Sequence, residues 1–292
     1  MYTTILFPTD GSEGSAAALD HVLEIAAAHD STVHVLTVAD TTRDSVVQQR
    51  GSVIDALEQE GKTIVRDATD RARQRGVETV SEVRQGVPSE TIVDYAASAA
   101  VDLIVMPTHG RQGLERVLLG STTERVVRQA ETPVLTLRPD TDAIDYPYRN
   151  VLVPTDGSES AQDALAVGTE IATTGGSALH LLSVVTTATL GVEIRNDIQL
   201  TMLEESATQI LEEAAAFATD AGVGPVDETI EFGASIPQVI QTYIDDHDID
   251  LVVVGTHGRT GLDRYLLGSV TEQLVRTSSV PVLTVRGEHT ET

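Results

Sequence analysis

Cysteine and tryptophan are both absent from the 292-residue chain, and lysine occurs once, at Lys62. Without cysteine there is no disulfide framework and no thiolate metal site, which agrees with a reducing cytoplasm. Aromatic residues make up only 3% of the chain, against 41% apolar residues in all. The cores must therefore be built from Val, Leu, Ile and Ala, a composition suited to parallel strands buried on both faces. No apolar run approaches the roughly 18 residues of a membrane span. The N-terminal Met1-Tyr2-Thr3-Thr4 has no positive region and leads into a first strand, not into a signal sequence. These absences predict a soluble, cytoplasmic protein with no membrane partner.

Positive charge is also scarce: 45 acidic residues face 19 basic ones, a formal net charge of −26. The acids are spread along the chain instead of forming a tail. Such a surface lacks the basic footprint that nucleic acid demands, so that partner class is excluded. It suits a halophilic cytoplasm, because charges in molar salt are screened within about 3 Å.

What the chain does have is an internal repeat. Thr108–Arg138 and Thr256–Arg286 agree at 20 of 31 aligned positions, and Ile5-Leu6-Phe7-Pro8-Thr9-Asp10-Gly11-Ser12 recurs as Val151-Leu152-Val153-Pro154-Thr155-Asp156-Gly157-Ser158. The offset is 146 residues at Asp10 and Asp156 but 148 at Gly110 and Gly258, so the second copy gains two residues in its middle. Arg138–Pro147, with two prolines and no periodicity, reads as the linker between domains at 1–140 and 147–288.

Within each copy, short apolar runs alternate with amphipathic stretches. Strands are predicted near Thr4–Pro8, Thr32–Val38, Thr79–Arg84, Leu103–Met106 and Val134–Leu137, with helices near Ser12–His29, Val53–Gly76, Pro88–Ala100 and Ser121–Ala130. Val151–Pro154, Ala178–Val185, Thr229–Phe232, Leu251–Val254 and Val282–Val285 are the strands of the second copy. This alternation predicts an α/β protein of two tandem doubly wound domains, each with a five-stranded parallel sheet. Ligands of such sheets bind at the carboxyl ends of the strands, where strand order reverses.

The repeated polar motifs fall at those ends. Gly120-Ser121 and Gly268-Ser269 open the last helix of each copy, with Glu124 and Glu272 three residues after the serines. One reading is a capping box; the other is a glycine that lets a phosphate approach amides at a helix N-terminus. Gly255-Thr256-His257-Gly258 precedes Gly268-Ser269 by nine residues, with Arg259 and Arg264 between, cations that suggest an anion in so acidic a chain. Asp10 and Asp156 read either as turn residues at a helix start or as carboxylates contacting a nucleoside or a metal. His109 and His257 can hydrogen-bond backbone, donate to a phosphate or serve in acid–base chemistry. The remaining histidines show no metal-ligand spacing.

The pattern of Gly-x-x-Gly, nine residues and Gly-Ser, following a first strand that ends in Pro-x-Asp, resembles the universal stress protein family over nearly all of both copies. The resemblance implies the adenine-nucleotide α-hydrolase-like fold and ATP, with or without magnesium, as ligand. It implies a nucleotide site at Pro8, Asp10, Val38, Thr108, His109, Gly110, Arg111, Gly120, Ser121 and Thr123 in the first copy. In the second copy the implied residues are Pro154, Asp156, Val184, Gly255, Thr256, His257, Gly258, Arg259, Gly268, Ser269, Val270 and Thr271. It also implies pairing of the two copies through their last strands as an internal pseudo-dimer, with homodimers as a further assembly. The first copy departs from the pattern: Pro107 stands where the second has Gly255, and proline lacks an amide donor.

Other nucleotide folds fit poorly. Gly61-Lys62-Thr63 lacks the earlier glycine of a P-loop, since position 56 is Ala56, and its surroundings read as helix. Asp10–Ser15 lacks the glycine spacing of a dinucleotide fold, and no hydrolase elbow is present. The expected function is a regulatory, nucleotide-binding stress-response factor with at most slow hydrolysis of ATP. The alternative is a nucleotide-independent interaction or chaperone-like protein with vestigial sites.

Overall fold

The computed structural model describes residues 2–40, 52–110, 119–139, 145–186, 196–257 and 267–287. The chain divides into two compact units, Met1–Tyr146 and Pro147–Thr292. In unit 1 the order is β1 (Thr4–Pro8), α1 (Glu13–His29), β2 (Thr32–Asp40), α2 (Ser52–Gln74), β3 (Thr79–Gly86), α3 (Pro88–Ser98), β4 (Leu103–Pro107), α4 (Ser121–Gln129) and β5 (Val134–Leu137). Unit 2 repeats it as β6 (Asn150–Pro154), α5 (Glu159–Gly175), β7 (Ala178–Thr186), α6 (Asn196–Asp220), β8 (Val226–Gly233), α7 (Ile236–Asp246), β9 (Leu251–Gly255), α8 (Ser269–Thr277) and β10 (Val282–Val285).

Within unit 1 the strands lie side by side as β3-β2-β1-β4-β5, and every pair is parallel. Unit 2 has the matching order β10-β9-β6-β7-β8, again all parallel. These are the doubly wound sheets that the alternation predicts. The chain winds from β1 outward to β3, then returns past its start to β4 and β5. Right-handed crossovers then place α1 and α2 on one face and α3 and α4 on the other. Strand order reverses between β1 and β4, and between β6 and β9.

Burial follows from position in the sheet. β4 and β9 are buried at every residue, whereas β3 and β8 are half-exposed along most of their length. The core is aliphatic, as the scarcity of aromatics requires: Ile5, Leu6, Val33, Leu103 and Ile104 in unit 1, and Val151, Leu152, Leu179 and Val252 in unit 2 are fully or almost fully buried. Gly61 sits inside α2, where a Cβ would come within 2.9 Å of Val83 Cγ1 and 3.3 Å of Thr37 Cγ2. It is a packing glycine that brings the helix close to the sheet, and Gly61-Lys62-Thr63 is no phosphate loop. Tyr146, at the end of the proline-bearing segment, is held against unit 1 by a hydrogen bond to His29 Nε2 and by edge-on contacts with the rings of His21 and His29. Among the described residues no helix is long and apolar enough to cross a membrane.

Candidate functional site

At the carboxyl end of β1, the repeated Asp-Gly-Ser builds a turn. Gly11 has φ 73° and Gly157 φ 77°, a region where glycine carries no Cβ penalty. Asp10 Oδ1 accepts from the Ser12 amide at 3.0 Å and the Ser15 hydroxyl at 2.8 Å. Ser12 in turn caps α1 by accepting from Ser15 N at 3.2 Å. Asp156 accepts from the Ser158 amide at 3.0 Å, and Ser158 caps α5, but Ala161 stands in the place of Ser15. The aspartates therefore fix the turn, whatever else they do.

The end of the fourth strand is tied to the start of the last helix in each unit. Gly120 N donates to Thr108 O at 2.7 Å, and the buried Thr123 hydroxyl donates to Pro107 O at 2.9 Å. Unit 2 repeats both bonds, Gly268 N to Thr256 O at 2.8 Å and Thr271 Oγ1 to Gly255 O at 2.7 Å. Thr108 Oγ1 lies 2.8 Å from His109 Nδ1, and Thr256 Oγ1 lies 2.9 Å from His257 Nδ1.

These ties exclude the capping box. The N-cap residues are Gly120 and Gly268, with no side-chain cap, and Ser121 and Ser269 are already inside their helices. Glu124 turns down its helix to Arg128 at 2.8 Å, and Glu272 reaches Arg276 at 3.3 Å. The glycine takes the cap position because its own amide is committed to the strand end. The first-turn amides of α4 and α8 are thereby left to solvent or to a ligand.

In unit 1 this helix start closes one wall of a cleft of about 570 Å³. Of the residues singled out in the sequence, Pro8, Asp10, Val38, His109, Gly110, Gly120, Ser121 and Thr123 line it. Thr108 is instead buried behind it, 1% exposed. Arg111, Gly258, Arg259 and Arg264 lie outside the described residues. No motif pointed to Leu36, Ile64, Ile92 and Met106, which supply apolar wall, or to Asp40, Glu60, Thr122 and Arg125, which add charge and polarity. Two close approaches show how tight the cradle is. A Cβ on Gly110 would lie 2.2 Å from Asp10 Oδ2, and one on Gly120 would lie 3.1 Å from Thr108 O. In unit 2 a Cβ on Gly268 would lie 3.3 Å from Thr256 O.

A family profile described as "Universal stress protein family" matches residues 1–138 and again 147–286. The chain belongs to the universal stress protein family. It is 32% identical over 241 residues to a universal stress protein of Mycobacterium bovis, covering 78% of each chain. A shorter universal stress protein of Methanocaldococcus jannaschii is 38% identical over 141 residues, 47% of this chain and 83% of that one. The crystal structure of a universal stress protein from Archaeoglobus fulgidus superposes with a TM-score of 0.74 at 22% identity, over 97% of this chain and 98% of that one, a likeness of fold.

Of the two universal stress protein domains, the first has Pro107 where the second has Gly255, and the surroundings of the two positions differ. A Cβ at Gly255 would meet Ser160, 2.4 Å from its carbonyl oxygen and 2.6 Å from its carbonyl carbon. The residue equivalent to Ser160 in unit 1 is Gly14, which lies against His109 O and Pro139. In unit 2 the fourth strand thus meets the first helix at Gly255 and Ser160, and unit 1 has Pro107 and Gly14 at those two positions. The strand itself continues undisturbed: Pro107 keeps its register with Leu137, and Thr108 N still donates to Leu137 O at 2.8 Å.

Proposed function

We propose that the protein binds an adenine nucleotide, ATP with magnesium, at the carboxyl ends of β1 and β4, and that the bound nucleotide regulates a stress-response role. The observation that carries this reading is the cleft of about 570 Å³ at the point of strand reversal, closed on one side by an uncapped helix start. A volume of that order falls within the roughly 300–1,000 Å³ of small-molecule sites. Its two ends differ in chemistry as a nucleotide does. Leu36, Val38, Ile64 and Ile92 offer an apolar slot for a planar base, while Gly120, Ser121 and Thr123 begin a helix whose dipole and free amides favour phosphate.

The carboxylates of Asp10, Asp40 and Glu60 also line the cleft. Facing a bare polyphosphate they would repel it, so the charge balance favours a nucleotide that brings its own divalent cation. Among the described residues no group of three His, Asp or Glu side chains is placed to hold a metal by itself. His109 is engaged with Thr108 Oγ1, and we assign it no catalytic step. Unit 2 has the same turn, the same helix start and the same two ties, which supports a second site there. The acid excess supports a halophilic setting, with unfolding at low salt as its expected mark.

The test is a calorimetric titration with ATP and magnesium in high salt, on the intact protein, Gly120→Val and Gly268→Val. Binding that each valine reduces in turn, by filling the cradle, is the expected result. Absence of heat from the intact protein would leave the family and fold in place and make the chain a nucleotide-independent interaction protein.

A further inference from the structure

The first turns of α4 and α8 differ at two positions. Unit 1 has Thr122 and Arg125, both lining the cleft; at the same 148-residue offset unit 2 has Val270 and Gln273. The Arg125 guanidinium is exposed and has no ion pair among the described residues, whereas Arg128 in the next turn is held by Glu124 at 2.8 Å. Unit 1 therefore places an uncommitted cation and an extra hydroxyl beside its open helix start. Unit 2 offers an apolar side chain and a neutral amide at those positions.

A guanidinium presents several donors in a fixed fork that matches phosphate oxygens. Its attraction grows with the charge of the phosphate chain, whereas the helix amides and the apolar slot serve a monophosphate as well as a triphosphate. We infer that Arg125 makes unit 1 the site that selects by phosphate number, taking a nucleoside triphosphate in preference to a monophosphate more strongly than unit 2 does. This rests on the nucleotide-binding reading above. Pro107 does not oppose it, because the donors that differ belong to α4 and not to the strand.

The inference is tested by titrating ATP and AMP separately, at one ionic strength with magnesium, into the intact protein, Arg125→Gln, Thr122→Val and Gln273→Arg. Circular dichroism checks that each variant is folded, which the exposure of Arg125 and Gln273 leads one to expect. Arg125→Gln should weaken ATP at one of two sites by about fivefold, the scale of a partly exposed charge contact, and AMP by less than about twofold. Gln273→Arg should tighten ATP at the other site by a similar factor. Equal weakening of ATP and AMP in Arg125→Gln, or no change in either while the intact protein binds both, would overturn the selection by Arg125. An intact protein that binds neither nucleotide would overturn the nucleotide reading itself, and this inference with it.

Discussion

Units 1 and 2 share strand order, turn geometry and the two ties that seat the last helix, yet they reach the same backbone with different side chains. Pro107 with Gly14 replaces Gly255 with Ser160. Ser15 bonds Asp10, where Ala161 leaves Asp156 to other partners. Asp30 ends α1 at φ 54°, where Gly176 ends α5 at φ 69°. Each difference changes the local packing or hydrogen bonding of its unit while the backbone path stays the same. Copying residues singly from one unit to the other should therefore be costly in proportion to how closely the receiving site is packed.

The largest effect is expected for Gly255→Pro. A Cβ there meets the backbone of Ser160, which cannot retreat as a flexible side chain can. Destabilisation of about 3 kcal/mol or more is expected, the scale of severe overpacking, read from the denaturant midpoint of unfolding. Adding Ser160→Gly should recover only the part due to the serine side chain; full recovery would show that the glycine alone makes room for proline in unit 1.

Gly14→Ser is the reciprocal change and should be milder. Its Cβ would lie 2.8 Å from Pro139 Cγ and 3.1 Å from His109 O, so Pro139 must shift. A loss of about 1–3 kcal/mol is expected, again from chemical unfolding. A neutral outcome would show that Pro139 gives way without cost.

Acid sensitivity offers a third comparison. His34 Nδ1 meets Tyr95 OH at 2.9 Å, and His180 Nδ1 meets Tyr243 OH at 3.1 Å. Burial lowers the pKa of both histidines; Glu82 opposes this at His34, while at His180 Asp227 opposes it and His247 adds to it. The unfolded chain then takes up a proton near pH 6.5 before the folded one does, so stability falls as pH drops below about 6.5 until the folded-state pKa is passed. His34→Gln and His180→Gln should each flatten the fall in melting temperature between pH 7 and 5. His247 stacks on Tyr243 at 3.8 Å, and unit 1 has Ala99 in its place, so the two variants need not act equally. An unchanged slope in both would remove burial as the cause.

The smallest effect is expected for Asp30→Gly. A left-handed residue ending a helix favours glycine, and an acid there also opposes the helix dipole. A gain of about 0.5–1 kcal/mol is expected, seen as a modest rise in melting temperature. A loss would mean that the Asp30 side chain contributes something that its geometry does not suggest.

Much of the fold was legible because apolar runs and turn chemistry agree. β1, β5 and β10 have the bounds read from the sequence, and the first helix, read as Ser12–His29, runs Glu13–His29. Strands at the outer side of each unit were read too short. β2 runs on to Asp40, and β8 begins at Val226, because ladder hydrogen bonds continue where the residues are polar and give no apolar signal. The serine-glutamate spacing misled for a related reason: a local pattern competes with a tertiary bond, and Gly120 N bound to Thr108 O decides the cap. Glycines and the aspartate at strand ends marked the cleft, but its apolar wall and Asp40, Glu60 and Arg125 come together only through topology. Pro107 looked like a defect, yet it keeps its register with Leu137 because the next amide, Thr108 N, supplies the bond to that strand.

The most direct measurement is a crystal structure of the intact protein grown with ATP and magnesium. Phosphate density is expected against the first turn of α4, within reach of the Ser121 and Thr123 amides and of Arg125, with the base between β2 and α3. A nucleotide seated elsewhere, or a clear map of that cleft with no nucleotide in it, would contradict nucleotide binding at the carboxyl ends of β1 and β4.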